Sequence, residues 1–161
     1  MKFTLKKMVL LVALCLMSMV ATFGQTPSKV ESTVDELMKK YENVNGVDCM
    51  KVVKGQGLGM VKMMLNSQFG RDFMKGVTSI TIINYSEASP ATCQALRKEL
   101  EIFKSMLEEF PLADDEEFAD NDYIRSFAQP LDERSISDFI FALEDKESKV
   151  IMYMAGKIKV E

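Results

Sequence analysis

Residues 136–160 have the sequence ISDFIFALEDKESKVIMYMAGKIKV. Apolar side chains recur at every second position on both sides of the turn segment Asp145–Ser148, which is the period of a strand with one buried face. The side chains that share these faces are Phe139, Phe141 and Leu143 before the turn, and Val150, Met152, Met154, Ile158 and Val160 after it. We therefore predict a hairpin of two strands, near residues 136–144 and 149–160.

Three further strand-like runs precede this hairpin. They are the β-branched run Val47–Val53, the alternating run Val77–Tyr85 and a run near residues 123–128. The last three strands of the chain have no helix between them, which a doubly wound sheet would require. We therefore predict an α+β fold, in which one mixed sheet of about five strands ends in an antiparallel meander and amphipathic helices pack on one of its faces.

Helical spacing of apolar residues predicts three helices. The first covers residues 30–43, and the second begins near Met60 and ends near Phe69. The third begins at Ser89 and Pro90, a capping residue followed by a proline that suits the first helical position. Its apolar stripe, which predicts a core-facing side up to a stop at Pro111, consists of Leu96, Leu100, Phe103, Leu107 and Phe110.

The N-terminal residues have the three-part pattern of a cleavable secretory signal. Met1–Lys7 holds three lysines and no acid, and Met8–Val20 is apolar apart from one serine. Signal cleavage requires small side chains one and three residues before the cut, and Gly24 and Thr22 satisfy this requirement. We predict cleavage between Gly24 and Gln25.

A membrane anchor and a lipoprotein are the alternatives to cleavage. The apolar run is shorter than the roughly 20 residues of a spanning helix, and Cys15 lies inside the run after Leu14, where acylation is not expected. The prediction is therefore a signal peptide at 1–24 and a single α+β domain at 25–161. That domain would be exported to the periplasm or the extracellular space, with no membrane anchor after cleavage.

Charge and composition exclude several classes of function. The full chain has a formal net charge of −4, and its first 24 residues hold three lysines and no acid, which leaves the remainder at −7. Such a domain is poorly suited to binding nucleic acid, because that binding requires clustered lysine and arginine side chains. The chain has no histidine, which excludes serine–histidine and cysteine–histidine catalysis and ordinary catalytic zinc sites. No catalytic residue and no cofactor are predicted.

Cys49 and Cys93 allow one intramolecular disulfide in an oxidising compartment. It would close a loop of about 45 residues. The alternative is that both are buried free thiols, which behave as small hydrophobic side chains. The sequence favours free thiols, because Cys93 falls on the apolar side of a predicted helix and Cys49 lies in a predicted strand.

Methionines offer one candidate metal site. Met60, Met63 and Met64, with Met74 nearby, could present thioethers to copper(I), which prefers soft ligands. The alternative is that methionines at this helical spacing form the core face of the second helix. The spacing favours the core face.

Two loop segments carry incomplete ligand-binding patterns. Gly55–Gly59 follows a strand, but Met60 replaces the last glycine of the dinucleotide pattern, which favours a flexible linker. An acidic segment at 113–122 could offer oxygen ligands to calcium, but it lacks the residue order of an EF-hand, which favours a solvated loop. The acids at the centre of that candidate are Asp114, Asp115, Glu116 and Glu117.

Several short segments resemble a known family. A signal ending in Phe23–Gln25, a first helix ending in Lys40–Tyr41, a methionine-rich helix and a final hairpin containing Ala155–Ile158 are similar to small exported Bacteroidetes proteins of unknown function. This chain stops soon after Ile158, where relatives usually continue. The resemblance implies a bacterial envelope location and an accessory or sensing role.

Together these patterns predict a non-enzymatic binding or accessory module for an envelope protein or a small ligand. One alternative is a hydrolase that uses paired carboxylates, which would need two acids with shifted pKa values in a pocket. The other alternative is a periplasmic metal-handling protein that uses the methionines.

Overall fold

The computed structural model describes residues 28–69, 72–110 and 122–159. The predicted signal peptide and the acidic residues 114–117 lie outside the described residues. The helices are α1 (Lys29–Tyr41), α2 (Leu58–Phe69), α3 (Pro90–Leu100) and a 3₁₀ helix (Glu101–Ser105). The strands are β1 (Asp48–Val53), β2 (Gly76–Asn84), β3 (Glu108–Glu109), β4 (Tyr123–Asp132), β5 (Ser135–Glu144) and β6 (Lys149–Lys159).

The described strands form one sheet in the order β1-β2-β6-β5-β4-β3. The last three long strands form the predicted meander, and the α+β class is confirmed. Every neighbouring pair is antiparallel, so the prediction of a mixed sheet is wrong for the described strands. Side-chain alternation is the same in parallel and antiparallel strands, and it therefore could not reveal this difference.

The third predicted helix is shorter than its apolar stripe indicated. Ser89 caps α3 by accepting a hydrogen bond from the Thr92 amide, with Pro90 at the first position as predicted. The α-helix ends at Leu100, and the chain then tightens into the 3₁₀ helix. The Phe110 amide donates to the Ser126 carbonyl at 2.9 Å, so pairing with β4 replaces the last predicted helical turn and adds a short sixth strand.

The sheet is covered on both faces, and β6 shows this most directly. Successive side chains of a strand point to opposite faces. The first face carries Ile83, Tyr85, Ile151 and Tyr153 and packs against buried residues of α1 and α3. The second face carries Ile80, Ile82, Met152 and Met154 and packs against Leu58 and Val61 of α2. The prediction that the helices share one face therefore describes α1 and α3 but not α2.

A glycine in β6 is required by the close approach of β2. Gly156 has a φ of +93°, and a Cβ at this position would lie 2.2 Å from the Gly76 carbonyl oxygen. Val77 pairs with Gly156, and the register shifts between Val77 and Ser79. The bulge in β2 therefore depends on the missing side chain at position 156.

Gly156→Ala should lower the free energy of unfolding by about 2 kcal/mol or more, because the left-handed backbone and the overlap both oppose a side chain. Urea unfolding followed by circular dichroism measures this change. Gly59→Ala is the matched control: no atom lies within 4 Å of its added Cβ, and alanine in a helix should stabilise by up to about 1 kcal/mol. Equal midpoints for the two variants would contradict the packing of β2 against β6.

Candidate functional site

A buried carboxylate lies beneath α3 at the end of β5. Glu144 is 6% exposed, and its Oε1 accepts a hydrogen bond from the Tyr85 hydroxyl at 3.0 Å. Arg97 donates from Nε to both carboxylate oxygens at 3.0 Å and from Nη2 to Oε2. The Arg97 guanidinium also lies 4.6 Å from the centre of the Tyr123 ring. We call Tyr85, Arg97, Tyr123 and Glu144 the Glu144 cluster.

The contacts within this cluster shift the pKa values of Tyr85 and Arg97. Burial, followed by the charge of Glu144, raises the pKa of Tyr85, so its hydroxyl remains a donor. The hydrogen bond to Glu144 raises the pKa of Arg97. Tyr85 and Arg97 therefore both keep their protons near neutral pH. The cluster is suited to fixing α3 on the sheet.

A second set of polar groups lies beneath α1, where Lys51 of β1 contacts two acids of the helix. Its ammonium lies 2.9 Å from Glu31 Oε1 and 2.8 Å and 2.9 Å from the two oxygens of Asp35. Ser79 donates to Glu31 at 2.9 Å. Burial opposes the charge of Lys51, but the hydrogen bonds to Asp35 and Glu31 outweigh it and raise the pKa of the lysine.

Asp138 lies in the left-handed region, with a φ of 52°, where the register of β5 against β6 shifts. Its Oδ1 accepts hydrogen bonds from the Tyr153 hydroxyl at 2.5 Å and from Ser28 at 3.2 Å. Burial, followed by the hydrogen bond to Asp138, raises the pKa of Tyr153. The carboxylate thus joins the first residue before α1 to the centre of the sheet.

The two carboxyl groups with a shifted pKa do not have the property that a general acid for glycoside hydrolysis needs. A general acid needs a raised pKa, whereas the shifted carboxyl groups among the described residues are shifted downward. The hydrogen bond from Lys104 lowers the pKa of Glu101, and the hydrogen bond from Ser135 lowers that of Asp132. Both of these acids are exposed.

The methionines of α2 lie where the sequence did not place them. Met60 and Met63 are 60% and 69% exposed, whereas Leu58 and Val61 are 1% and 3% exposed. The core-facing side of α2 is therefore the Leu58 and Val61 side, and the interpretation of Met60 and Met63 as core residues is wrong. The Met64 side chain lies outside what the structure describes. Met74, by contrast, is fully buried.

Two lysines lie close to each other near the start of α2. Lys62 follows Leu58 by four positions, so it lies on the Leu58 side of the helix and not on the side of the two methionines. Its ammonium donates to the Lys75 carbonyl at 3.4 Å. Burial, followed by repulsion from Lys54, lowers the pKa of Lys62. The neighbouring charge that lowers the pKa of Lys62 is thus positive, although the net charge of the chain is negative. We call the exposed pair Met60 and Met63 the α2 surface.

Cys49 and Cys93 are free thiols in the structure. Cys49 Sγ lies 3.7 Å from the Met38 carbonyl oxygen, and Cys93 Sγ lies 3.9 Å from that of Ala88. Burial, with smaller effects from Glu42 and Asp48, raises the pKa of Cys49 to about 11.

Among residues 28–69, 72–110 and 122–159, no group of three or more Cys, Asp or Glu side chains could hold a metal ion. The acids of the predicted calcium loop, 114–117, lie outside these ranges. In the same part of the chain, no helix is both long enough and apolar enough to cross a membrane. Comparison of the chain with protein-family models, with curated proteins and with solved structures gave no match.

Arg97→Ala should destabilise the fold by about 2 kcal/mol, because it leaves the buried Glu144 carboxylate without its cation. The estimate lies below that for a fully buried pair, since the Arg97 side chain is 45% exposed. Urea unfolding measures the effect. Lys40→Ala is the matched control, because it removes an exposed ion pair to Glu99 of the same helix α3 and should change the midpoint little. Similar midpoints for both variants would show that the Glu144 cluster does not hold α3.

The Cys49 thiol should react slowly at neutral pH, because the thiolate is the reactive form. In a mature Cys93→Ser variant, the rate of alkylation by iodoacetamide should rise about tenfold per pH unit and level off near pH 11. The same variant unfolded in urea should level off about two units lower. A folded profile that levels off near pH 9 would contradict the burial of this thiol.

Proposed function

We propose that the chain is an exported, non-enzymatic binding module and that the α2 surface is its contact site. The observation that carries this proposal is the exposure of Met60 and Met63. Both are large apolar side chains on one side of a helix whose opposite side is already packed. Among the described residues, no other large hydrophobic side chain is as exposed as these two.

Methionine is well suited to contact with a partner. Its unbranched thioether adapts to irregular surfaces and is used on binding surfaces for that reason. Burying one such side chain stabilises a complex by about 1.5–3 kcal/mol. Two methionines on neighbouring turns could therefore supply the apolar centre of a small interface, which a polar rim then surrounds.

The two methionines indicate the chemistry of the partner. The α2 surface is apolar, and Lys62 lies on another side of the helix. A partner that presents apolar side chains would complement it. We propose a protein of the bacterial envelope as that partner, in keeping with the N-terminal signal pattern and the resemblance to small exported Bacteroidetes proteins.

A metal-handling role is favoured by the same exposure. Met60 and Met63 are separated by one helical turn, and their thioethers are open to solvent, as ligands for a soft cation such as copper(I) must be. Such a site would need further ligands from outside the described side chains. The carboxylate hydrolase has less support, because the half-buried Glu31 and the buried Glu144 are occupied by hydrogen bonds and ion pairs.

Photo-crosslinking in the cell tests the binding proposal. A photo-reactive residue at position 63 should capture one envelope protein, and the same residue at position 131, also exposed, should not. Met60→Ser in the position-63 protein should lower the yield about tenfold or more, because it removes one buried apolar contact. Equal capture at positions 63 and 131, or none at either, would contradict the proposal.

Silver(I), which has the thioether preference of copper(I), separates the metal role from the binding role. If α2 holds a metal, silver should shift the methyl signals of Met60 and Met63 at stoichiometric concentration, and the Met60→Leu, Met63→Leu double variant should lose that binding. No change in those signals at stoichiometric silver would exclude the metal role and leave the binding role standing.

A further inference from the structure

Beside the Glu144 cluster, a lysine and a cysteine lie in direct contact. Lys149 Nζ is 3.6 Å from Cys93 Sγ. Cys93 is 6% exposed and belongs to α3, whereas Lys149 is the first residue of β6 and is half-buried. The two residues are 56 positions apart in the chain, so the contact depends on the packing of α3 against the sheet.

Both backbones are held by hydrogen bonds. The Cys93 amide donates to the Ser89 carbonyl at 3.0 Å, within the first turn of α3. The Lys149 amide donates to Ser86 Oγ at 2.9 Å, and its carbonyl accepts from the Tyr85 amide at 2.9 Å. The backbone positions of Cys93 and Lys149 are therefore fixed relative to each other by hydrogen bonds of neighbouring residues.

The acid that pairs with Lys149 in the sheet already has other partners. Glu144 pairs with Lys149 across β5 and β6, but its oxygens accept from Arg97 and from the Tyr85 hydroxyl. Lys149 Nζ contacts Cys93 Sγ at 3.6 Å. Sulfur is thus the side-chain atom toward which this amine is directed.

We propose that Cys93 and Lys149 form a covalent sulfur–nitrogen crosslink when the protein meets hydrogen peroxide. In the first step, Cys93 sulfur attacks one peroxide oxygen and the O–O bond breaks, which gives a sulfenic acid and one water. In the second step, the Lys149 ammonium first gives one proton to solvent, and the neutral amine then attacks that sulfur as the S–O bond breaks. The hydroxyl leaves as water with a second proton from the same nitrogen.

The balance of this reaction requires one peroxide for each crosslink. Sulfur is oxidised by two electrons in the first step, peroxide is reduced, and the second step is a condensation without further oxidation. The product lacks two hydrogens relative to the reduced protein. It ties α3 to the start of β6 and converts a packing contact into a covalent one.

Cys49 provides an internal comparison. Its sulfur contacts a backbone carbonyl rather than an amine, and burial beside Glu42 and Asp48 raises its pKa. A sulfenic acid at Cys49 would therefore have no contacting lysine to condense with, and the reaction there should stop at the addition of oxygen. The inference does not rest on the binding proposal, because it concerns the opposite face of the sheet from α2.

Intact mass spectrometry of the peroxide-treated mature protein, followed by peptide mapping, tests the crosslink. The expected result is a loss of two hydrogens and a linked pair of peptides that contain Cys93 and Lys149. Cys49→Ser should keep that loss. Lys149→Arg and Lys149→Gln should abolish it and gain oxygen at Cys93 instead. The crosslinked Cys49→Ser protein should also melt at a higher temperature than its reduced form.

Two outcomes would overturn the proposal. A two-hydrogen loss that disappears in Cys49→Ser would assign the product to a Cys49–Cys93 disulfide. A loss that persists in both Lys149 variants would assign the nitrogen to another group. Circular dichroism of the reduced variants checks folding, and the linked peptides of the unmodified sequence give a result that does not depend on any variant.

Discussion

The burial of β6 on both faces is the constraint on which the rest of the structure depends. Residues Val150–Ala155 are each at most 3% exposed, and the strand pairs with β2 on one side and β5 on the other. A strand in this position gains stability from side chains on both faces only if each face is covered by other elements. Helices α1 and α3 cover one face of the sheet, and α2 covers the other.

The helices on the two faces differ in the contacts that hold them against the sheet. Helices α1 and α3 combine apolar packing with polar contacts. Beneath α1 these are the ion pairs of the half-buried Lys51 and the hydrogen bonds of Asp138. Beneath α3 it is the ion pair of the buried Glu144. Buried charges must be paired, and pairing fixes the position of each helix as well as its presence. Helix α2 is held by Leu58 and Val61, while Met60 and Met63 remain exposed. Helix α2 thus leaves its two exposed methionines uncovered in the described structure.

Sequence patterns predicted the elements better than their arrangement. The alternation in the final hairpin and the Ser89–Pro90 cap are local signals, and both were confirmed. The core-facing side of α2 was predicted wrongly because apolar residues occur all around this helix. The spacing of the methionines is as typical of a core-facing side as the spacing of Leu58 and Val61, which form the actual one. The end of α3 was missed because pairing with β4, which is distant in sequence, overrode a helical stripe. The contact of Glu144 with Arg97 and that of Cys93 with Lys149 join residues 47 and 56 positions apart, and no local sequence pattern predicts them.

The most direct test of the central claim is the solvent exposure of individual methionine methyl groups in the free protein. Methyl-labelled methionine and a soluble paramagnetic probe would report this exposure residue by residue in an NMR spectrum. The account predicts strong broadening of the Met60 and Met63 signals and little broadening of Met74, Met152 and Met154, which are buried. Protection of Met60 and Met63 equal to that of Met152 would place them in a core and remove the basis of the α2 surface.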